Sequence, residues 1–329
     1  MAITFVGSKT FIHNATTEQS CSLTDLLDAA GASATLLQHD IIVVNYVIST
    51  DNVNRTNAQM TPTGYTAFTA TDLYRDDDNN ANQLVSYKFM GVTPDATVSI
   101  PASNATTAGV AVVIHAFRGV DTTTPSDVTP TTAGGVNSGL ANAAAITPVT
   151  AGSWILACGA AGVAAGAVFT NPAGMSATTN HFRSVTITTT TSDANAGTAL
   201  LTTWTSGNYN PAIFGGSTST NTGTWVTTTI ALRPARNYSS GTASTVGVLK
   251  GSGRLVGTSA GVASLTGTVR GSGTLAGSVA GVASASGLLE NSVQISASSA
   301  GVATVSGTLT GSSAPINLNL NNLMMGTSF

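Results

Sequence analysis

Charge is what this 329-residue sequence most lacks. Asp, Glu, Lys and Arg make up 8% of it, against roughly 25% in an ordinary soluble domain. Eleven basic against fourteen acidic residues, with no basic block, leave nothing to neutralise a phosphate backbone, which excludes nucleic acid as a partner. Aromatic residues stop at 5%. Trp154, Trp204 and Trp225 all fall inside strand-like patterns and read as sandwich core rather than as the exposed platforms of a sugar-binding module. No stretch approaches the ~20 apolar residues of a membrane span, so no membrane insertion is expected. Met1-Ala-Ile-Thr-Phe5 has no basic n-region and no continuous apolar h-region, and a cytoplasmic synthesis and assembly is expected. The N-x-S/T matches at Asn14, Asn54, Asn104 and Asn237 then carry no glycosylation meaning. Two cysteines, Cys21 and Cys158, lie far apart without metal spacing and read as reduced structural thiols.

Low charge alone would suit a disordered chain, but disorder also needs low hydrophobicity and high net charge. Here hydrophobic residues reach 42% with a net charge of −3, so the chain should fold. Its solubility rests on hydroxyl and amide groups, and a surface with so few charges resists packing beside further copies only weakly.

The first 237 residues read as short β-branched strands separated by turns. The clearest run over 40–48, 83–92, 96–100, 108–117, 153–158, 184–189, 198–205 and 224–232. Leu23, Leu26 and Leu27 at i, i+3, i+4 behind Ser22 predict one short helix over 22–30. Strands without intervening helices cannot build a parallel α/β sheet, so the expected class is all-β: an antiparallel sandwich or jelly roll over 1–237.

A Ser/Thr/Gly-rich linker over 238–246 leads into a repeat over 247–316, with a tail over 317–329. Gly247, Gly267, Gly287 and Gly307 are spaced by 20, and Ala260-Gly-Val-Ala263 returns at Ala280 and Ala300. Within the repeat, odd positions are mostly Gly, Ala, Leu, Val or Ile, and the polar residues fall on even ones, the period-two signature of strands. A face this rich in glycine needs stacking or oligomerisation to be stable. A glycine-rich β-solenoid or an intertwined, trimeric shaft is expected. Pro315 to Asn322 alternates Asn with Ile or Leu, as a final strand or a docking peptide would.

Catalytic patterns are few. Gly257-Thr-Ser259-Ala-Gly261 matches a nucleophile elbow, but that motif needs a strand-to-helix turn, and Val279 replaces the serine one repeat later. His13, His39, His115 and His181 show no metal spacing, and His115 sits inside a strand as a core or face histidine. Asp76, Asp77 and Asp78 form the densest acidic cluster and offer oxygen ligands to Ca²⁺, but the other ligands of an EF-hand loop are missing, so a solvated turn between strands is the preferred reading and a metal site a weak alternative. No catalytic residue and no cofactor is expected.

Two segments carry a resemblance. Ala111-Val-Val-Ile-His-Ala-Phe-Arg118-Gly-Val-Asp121 with Pro125-Ser-Asp127, and Trp225-Val-Thr-Thr-Thr-Ile-Ala-Leu-Arg233-Pro234-Ala235, resemble sandwich domains of bacteriophage tail and virion proteins. The Gly-Val-Ala repeat is similar to low-complexity repeats at the ends of phage structural proteins. The resemblance implies a non-enzymatic virion component, a homotrimeric tail fibre or appendage in contact with other virion proteins and a host surface glycan. Its alternatives are a capsid decoration or head fibre protein and a carbohydrate-binding adhesin module.

Parity makes the repeat testable. Leu275 belongs to the apolar set and Thr274 to the polar one. Leu275→Asp is expected to cost several kcal/mol, on the order of a buried unpaired charge, and to abolish assembly, whereas Thr274→Asp should change stability by no more than about 0.5 kcal/mol. Sedimentation of the two variants side by side reads the difference; equal damage would mean the faces are assigned wrongly.

Overall fold

The computed structural model divides the chain into two compact units, Met1–Arg236 and Asn237–Phe329. It describes residues 2–49, 53–76, 80–103, 108–136, 141–163, 168–188, 193–216 and 223–235 of the first unit, and seven strands between residues 243 and 310 of the second. Its sheets in the first unit are antiparallel.

One sheet orders β1 (Thr4–His13), β8 (Gly109–Arg118), β3 (Ile41–Ser49) and β6 (Ala81–Phe89), with β4 (Thr66–Ala67) and β5 (Leu73–Arg75) both on the far side of β6. The other orders β9 (Thr131–Gly135), β15 (Thr224–Leu232), β10 (Trp154–Val163), β13 (Asp193–Leu201) and β12 (Arg183–Ile187). The two orders are the same. In each sheet the first strand of the half pairs the last, and the second strand lies at the centre. The strand portions of the resembling segments noted above, up to Arg118 and Leu232, occupy the equivalent strands β8 and β15.

The sheets face each other through alternate residues, as the period of two requires. Ile41, Val43, Val85 and Phe117 meet Leu156, Cys158, Leu200, Ile230 and Leu232 toward one pole. Val47, Ala111 and Val113 meet Ala160, Ala194, Ala196 and Val226 toward the other. We call the second of these the upper pole. There β3 and β10 end and β6, β8, β13 and β15 begin; at the lower pole β15 hands the chain on toward the second unit.

The outer faces are apolar too, which is why β3 reads as an unbroken hydrophobic run and is buried along its whole length. Outside the first sheet, β2 (Gln19–Ser22) pairs with β7 (Thr97–Ile100), and Cys21, Leu23, Leu26, Met60, Val98 and Ile100 cover Ile42, Val44, Tyr46, Val112 and Ile114. Outside the second, β11 (Phe169–Thr170) pairs with β14 (Gly215–Gly216), and Phe169, Phe214, Ile146 and Met175 cover Ile155, Ala157, Ala199 and Ala231.

The expected helix over 22–30 is absent. Ser22 ends β2, Leu27 makes β-bridges with Ser8 and Ser33, and the Leu23 amide donates to Ala96 O at 2.8 Å. Leu23 and Leu26 are buried as expected of an apolar stripe, but in the cover layer, where tertiary pairing outweighs a weak local helix preference. The one helix among the described residues, α1 (Asn57–Met60), is a single turn. Strand β1 carries no clear period-two pattern in the sequence because its alternation breaks at Gly7, where the register with β8 shifts. Gly7 is needed there, since a Cβ would stand 2.9 Å from that of Ala34.

In the second unit β16 (Ala243–Lys250), β18 (Ala263–Arg270), β20 (Ala283–Glu290) and β22 (Ala303–Thr310) pair in parallel. So do β17 (Gly253–Ser259), β19 (Gly273–Val279) and β21 (Val293–Ser299). Every partner lies 20 residues on, so Gly247, Gly267, Gly287 and Gly307 share one register position, and Leu255, Leu275 and Ile295 another. This pairing lies within one chain.

The glycine pair at the centre of the second sheet sets a stability prediction. Gly159 and Gly197 are register partners, and Phe169 and Phe214 lie on their outer side. A Cβ on Gly197 would stand 2.7 Å from Phe169 Cδ2. Gly197→Ala is expected to destabilise the first unit by about 1–3 kcal/mol, as overpacking does, and Phe169→Leu should recover part of the loss in the double variant. Urea unfolding of the three proteins tests this; a neutral Gly197→Ala would show that the aromatic cover yields freely.

Candidate functional site

A row of polar side chains crosses the apolar interior. Asn45 on β3 donates through Nδ2 to Gly159 O and Gly197 O, both at 3.2 Å, and accepts from Gln83 Nε2 at 2.9 Å. Gln83 Oε1 in turn accepts from Thr228 Oγ1 at 3.0 Å. All three residues are essentially inaccessible to water. An isolated polar residue inside an apolar strand run was the available sequence signal, and its partners on the other sheet could not be read from it.

Beside this row, His115 Nε2 bonds Thr198 Oγ1. Its ring stacks with Phe117 and meets Phe5 edge-on. His181 packs against Phe5 at 4.6 Å and against Trp154, and its Nδ1 contacts Ser176 Oγ at 2.9 Å. Arg183 donates from Nε to Ser8 Oγ at 3.0 Å and from Nη2 to Ser8 O at 3.5 Å. Burial, and then the nearby Arg183 and His181, push the His115 pKa down to about 3, so the ring is neutral. Burial also lowers that of His181. Among the described residues no carboxylate hydrogen-bonds either histidine, so the Ser176–His181 pair has no acid to orient it as a base.

Two arginine clamps close the lower pole. Arg118 grips Asp40 side-on, Nε to Oδ1 and Nη2 to Oδ2, each at 2.8 Å. Arg233 donates from Nε to Asp127 Oδ1 at 3.0 Å and from Nη2 to Asp127 O at 3.1 Å. Both carboxylates are fully buried. Burial alone would raise the Asp127 pKa, but donors from Thr150, Val149 and Arg233 hold it below the usual carboxylate range. Arg118, Arg233 and Asp127 belong to the resembling segments, whereas Asp40 does not; Asp121, also in those segments, caps the turn amides of Thr123 and Thr124.

The remaining expected residues are dispersed. Asp76 is exposed beyond β5, while Asp77 and Asp78 lie outside the described residues. Among the described residues no group of three or more His, Cys, Asp and Glu is placed to hold a metal ion. His39 sits in a left-handed turn at φ 68°. Ser259 ends β17 in register with Val279, and the next described element is strand β18, not a helix. Trp225 is buried under the outer cover, and Trp154 and Trp204 are half-buried, with Trp204 Nε1 donating to Gly207 O. Cys21 and Cys158 are buried and unpaired in disulfides; burial pushes the Cys21 thiol up to about 11 and the Cys158 thiol further. No described helix is long and apolar enough to cross a membrane.

The buried histidine makes stability depend on pH. Its proton affinity is lower in the folded chain than the ordinary 6.5, so the unfolded state binds the proton first. The stabilisation is present above pH 6.5 and is lost as pH falls toward about 3. The loss is on the order of 5 kcal/mol, at 1.36 kcal/mol per unit. His115→Gln should flatten most of the fall in unfolding free energy over that window, leaving the smaller contributions of His181 and His13, and should leave the loss from Asp127 below the ordinary carboxylate pKa. Urea titrations at a series of pH values check it; an unchanged slope in the variant would mean His115 does not titrate differentially.

No protein-family model, no curated protein and no solved structure matches this chain.

Proposed function

We propose that the protein is a structural component of a phage virion, a homotrimeric tail fibre or tail appendage engaged in host attachment. The observation that supports this most is the 20-residue parallel pairing of β16 to β22, which follows a first unit whose polar interior is spent on holding two sheets together. On this reading the repeat is a solenoid-like shaft and the first unit a jelly-roll-like head. Low charge favours close packing of copies. No catalytic constellation is part of the reading, and virion partners and a host surface glycan are its expected contacts.

The experiment is light scattering and negative-stain imaging of the full chain. A trimer with globular ends on a thin shaft is expected; a monodisperse monomer rejects the proposal. Counting copies per particle by quantitative mass spectrometry then separates a tail appendage, at low copy number, from a capsid decoration protein, at high copy number.

A further inference from the structure

The first unit contains a cation whose best hydrogen-bonding edge has no hydrogen-bond partner among the described residues. Arg118, Arg183 and Arg233 each use the Nε and Nη2 atoms together, and each sets that edge against two oxygen positions: both Asp40 carboxylate oxygens, Ser8 Oγ and O, and Asp127 Oδ1 and O. Arg55 is 6% exposed, and the same two atoms, Nε and Nη2, are buried without a hydrogen-bond partner.

Its backbone is held in place. The Arg55 amide donates to Asn82 Oδ1 at 3.0 Å, and Asn82 Nδ2 donates back to Val53 O at 3.1 Å. Asn82 is itself fully buried near the start of β6, so the segment carrying Arg55 is fastened at the upper pole, where β3 ends at Ser49. A guanidinium does not lose its proton in a protein, even where burial pulls its pKa down as it does here. A buried charge of this kind ordinarily has a counter-ion, and leaving it bare is costly. In a chain this poor in carboxylates, the fold does not supply one from its described residues.

We propose that the Nε/Nη2 edge of Arg55 is a carboxylate-binding site, which takes the two oxygens of a carboxylate ligand in the side-on manner in which Arg118 holds Asp40. The planar fork matches two oxygens of a carboxylate or a phosphate equally well. Charge decides between them: one carboxylate neutralises one guanidinium, whereas a phosphate dianion would leave a buried negative charge. Shielding from water strengthens the attraction, and it also means that the ligand enters by local opening of the chain around the edge. The site stands apart from the virion reading, since neither requires the other.

Formate is the probe, because it is a carboxylate with no other recognition element. Thermal unfolding of the full chain near neutral pH, after prolonged equilibration, is compared in sodium formate, chloride and phosphate at matched ionic strength. Formate is expected to raise the midpoint by several degrees over chloride. Arg55→Lys keeps the charge but not the fork and should lose most of that shift. Line broadening of ¹³C-formate by the unmutated chain gives a second readout that does not depend on a variant folding. Equal midpoints in formate and chloride with no broadening, a formate shift undiminished in Arg55→Lys, or a larger shift in phosphate would each overturn the assignment.

Discussion

The amide of Asn45 is the point on which the first unit turns. Its NH₂ reaches two carbonyls of the facing sheet, and its oxygen takes the Gln83 amide, which is tied to Thr228. Apolar faces slide over one another at little cost, because burial is non-directional. Hydrogen bonds in a dry interior do not slide: displacing either sheet would strand several polar groups, each at about 1–3 kcal/mol. The row therefore fixes how the two sheets sit, and the clusters at both poles pack around that setting.

What happens on the outside of the second sheet follows from the same spot. Gly159 and Gly197 carry no side chain, so Phe169 and Phe214 lie directly on the backbone while Asn45 reaches it from within. The sheet is thin where it is bonded from one side and capped from the other. Both sheets carry such a cover, the shared strand order places it equivalently, and the consequence is a unit of four layers whose central strands are buried on both faces.

Economy of charge gives the rest of the unit its character. The carboxylates of Asp40 and Asp127 are buried completely, and each is met by an arginine at the end of an equivalent strand, Arg118 as the last residue of β8 and Arg233 just after β15. His115 is kept neutral by burial beside Thr198 and the aromatic rings. Ion pairs of this sort contribute little net stability relative to apolar packing, but removing one partner is severe. They act as fasteners at the lower pole, where the chain leaves the sandwich.

Strand content, the absence of α/β alternation and the 20-residue period were legible in the sequence because each rests on local periodicity. Residues 41–48 and 224–232 announce themselves by β-branched runs, and the glycine spacing of the repeat recurs as the offset between paired strands. The helix expected behind Ser22 failed for the converse reason: three leucines at helical spacing serve equally well in a cover layer once Ser8, Ser33 and Ala96 offer backbone partners. Strand β1 was hidden by its bulge at Gly7, and its neighbour β8 supplies the pairing that makes it a strand. The polar row and the two clamps join residues up to 152 positions apart, as Asn45 and Gly197 are. Sequence spacing records which residues share a strand face; only the tertiary structure decides which faces meet, because that choice depends on hydrogen bonds between groups that have no local relation.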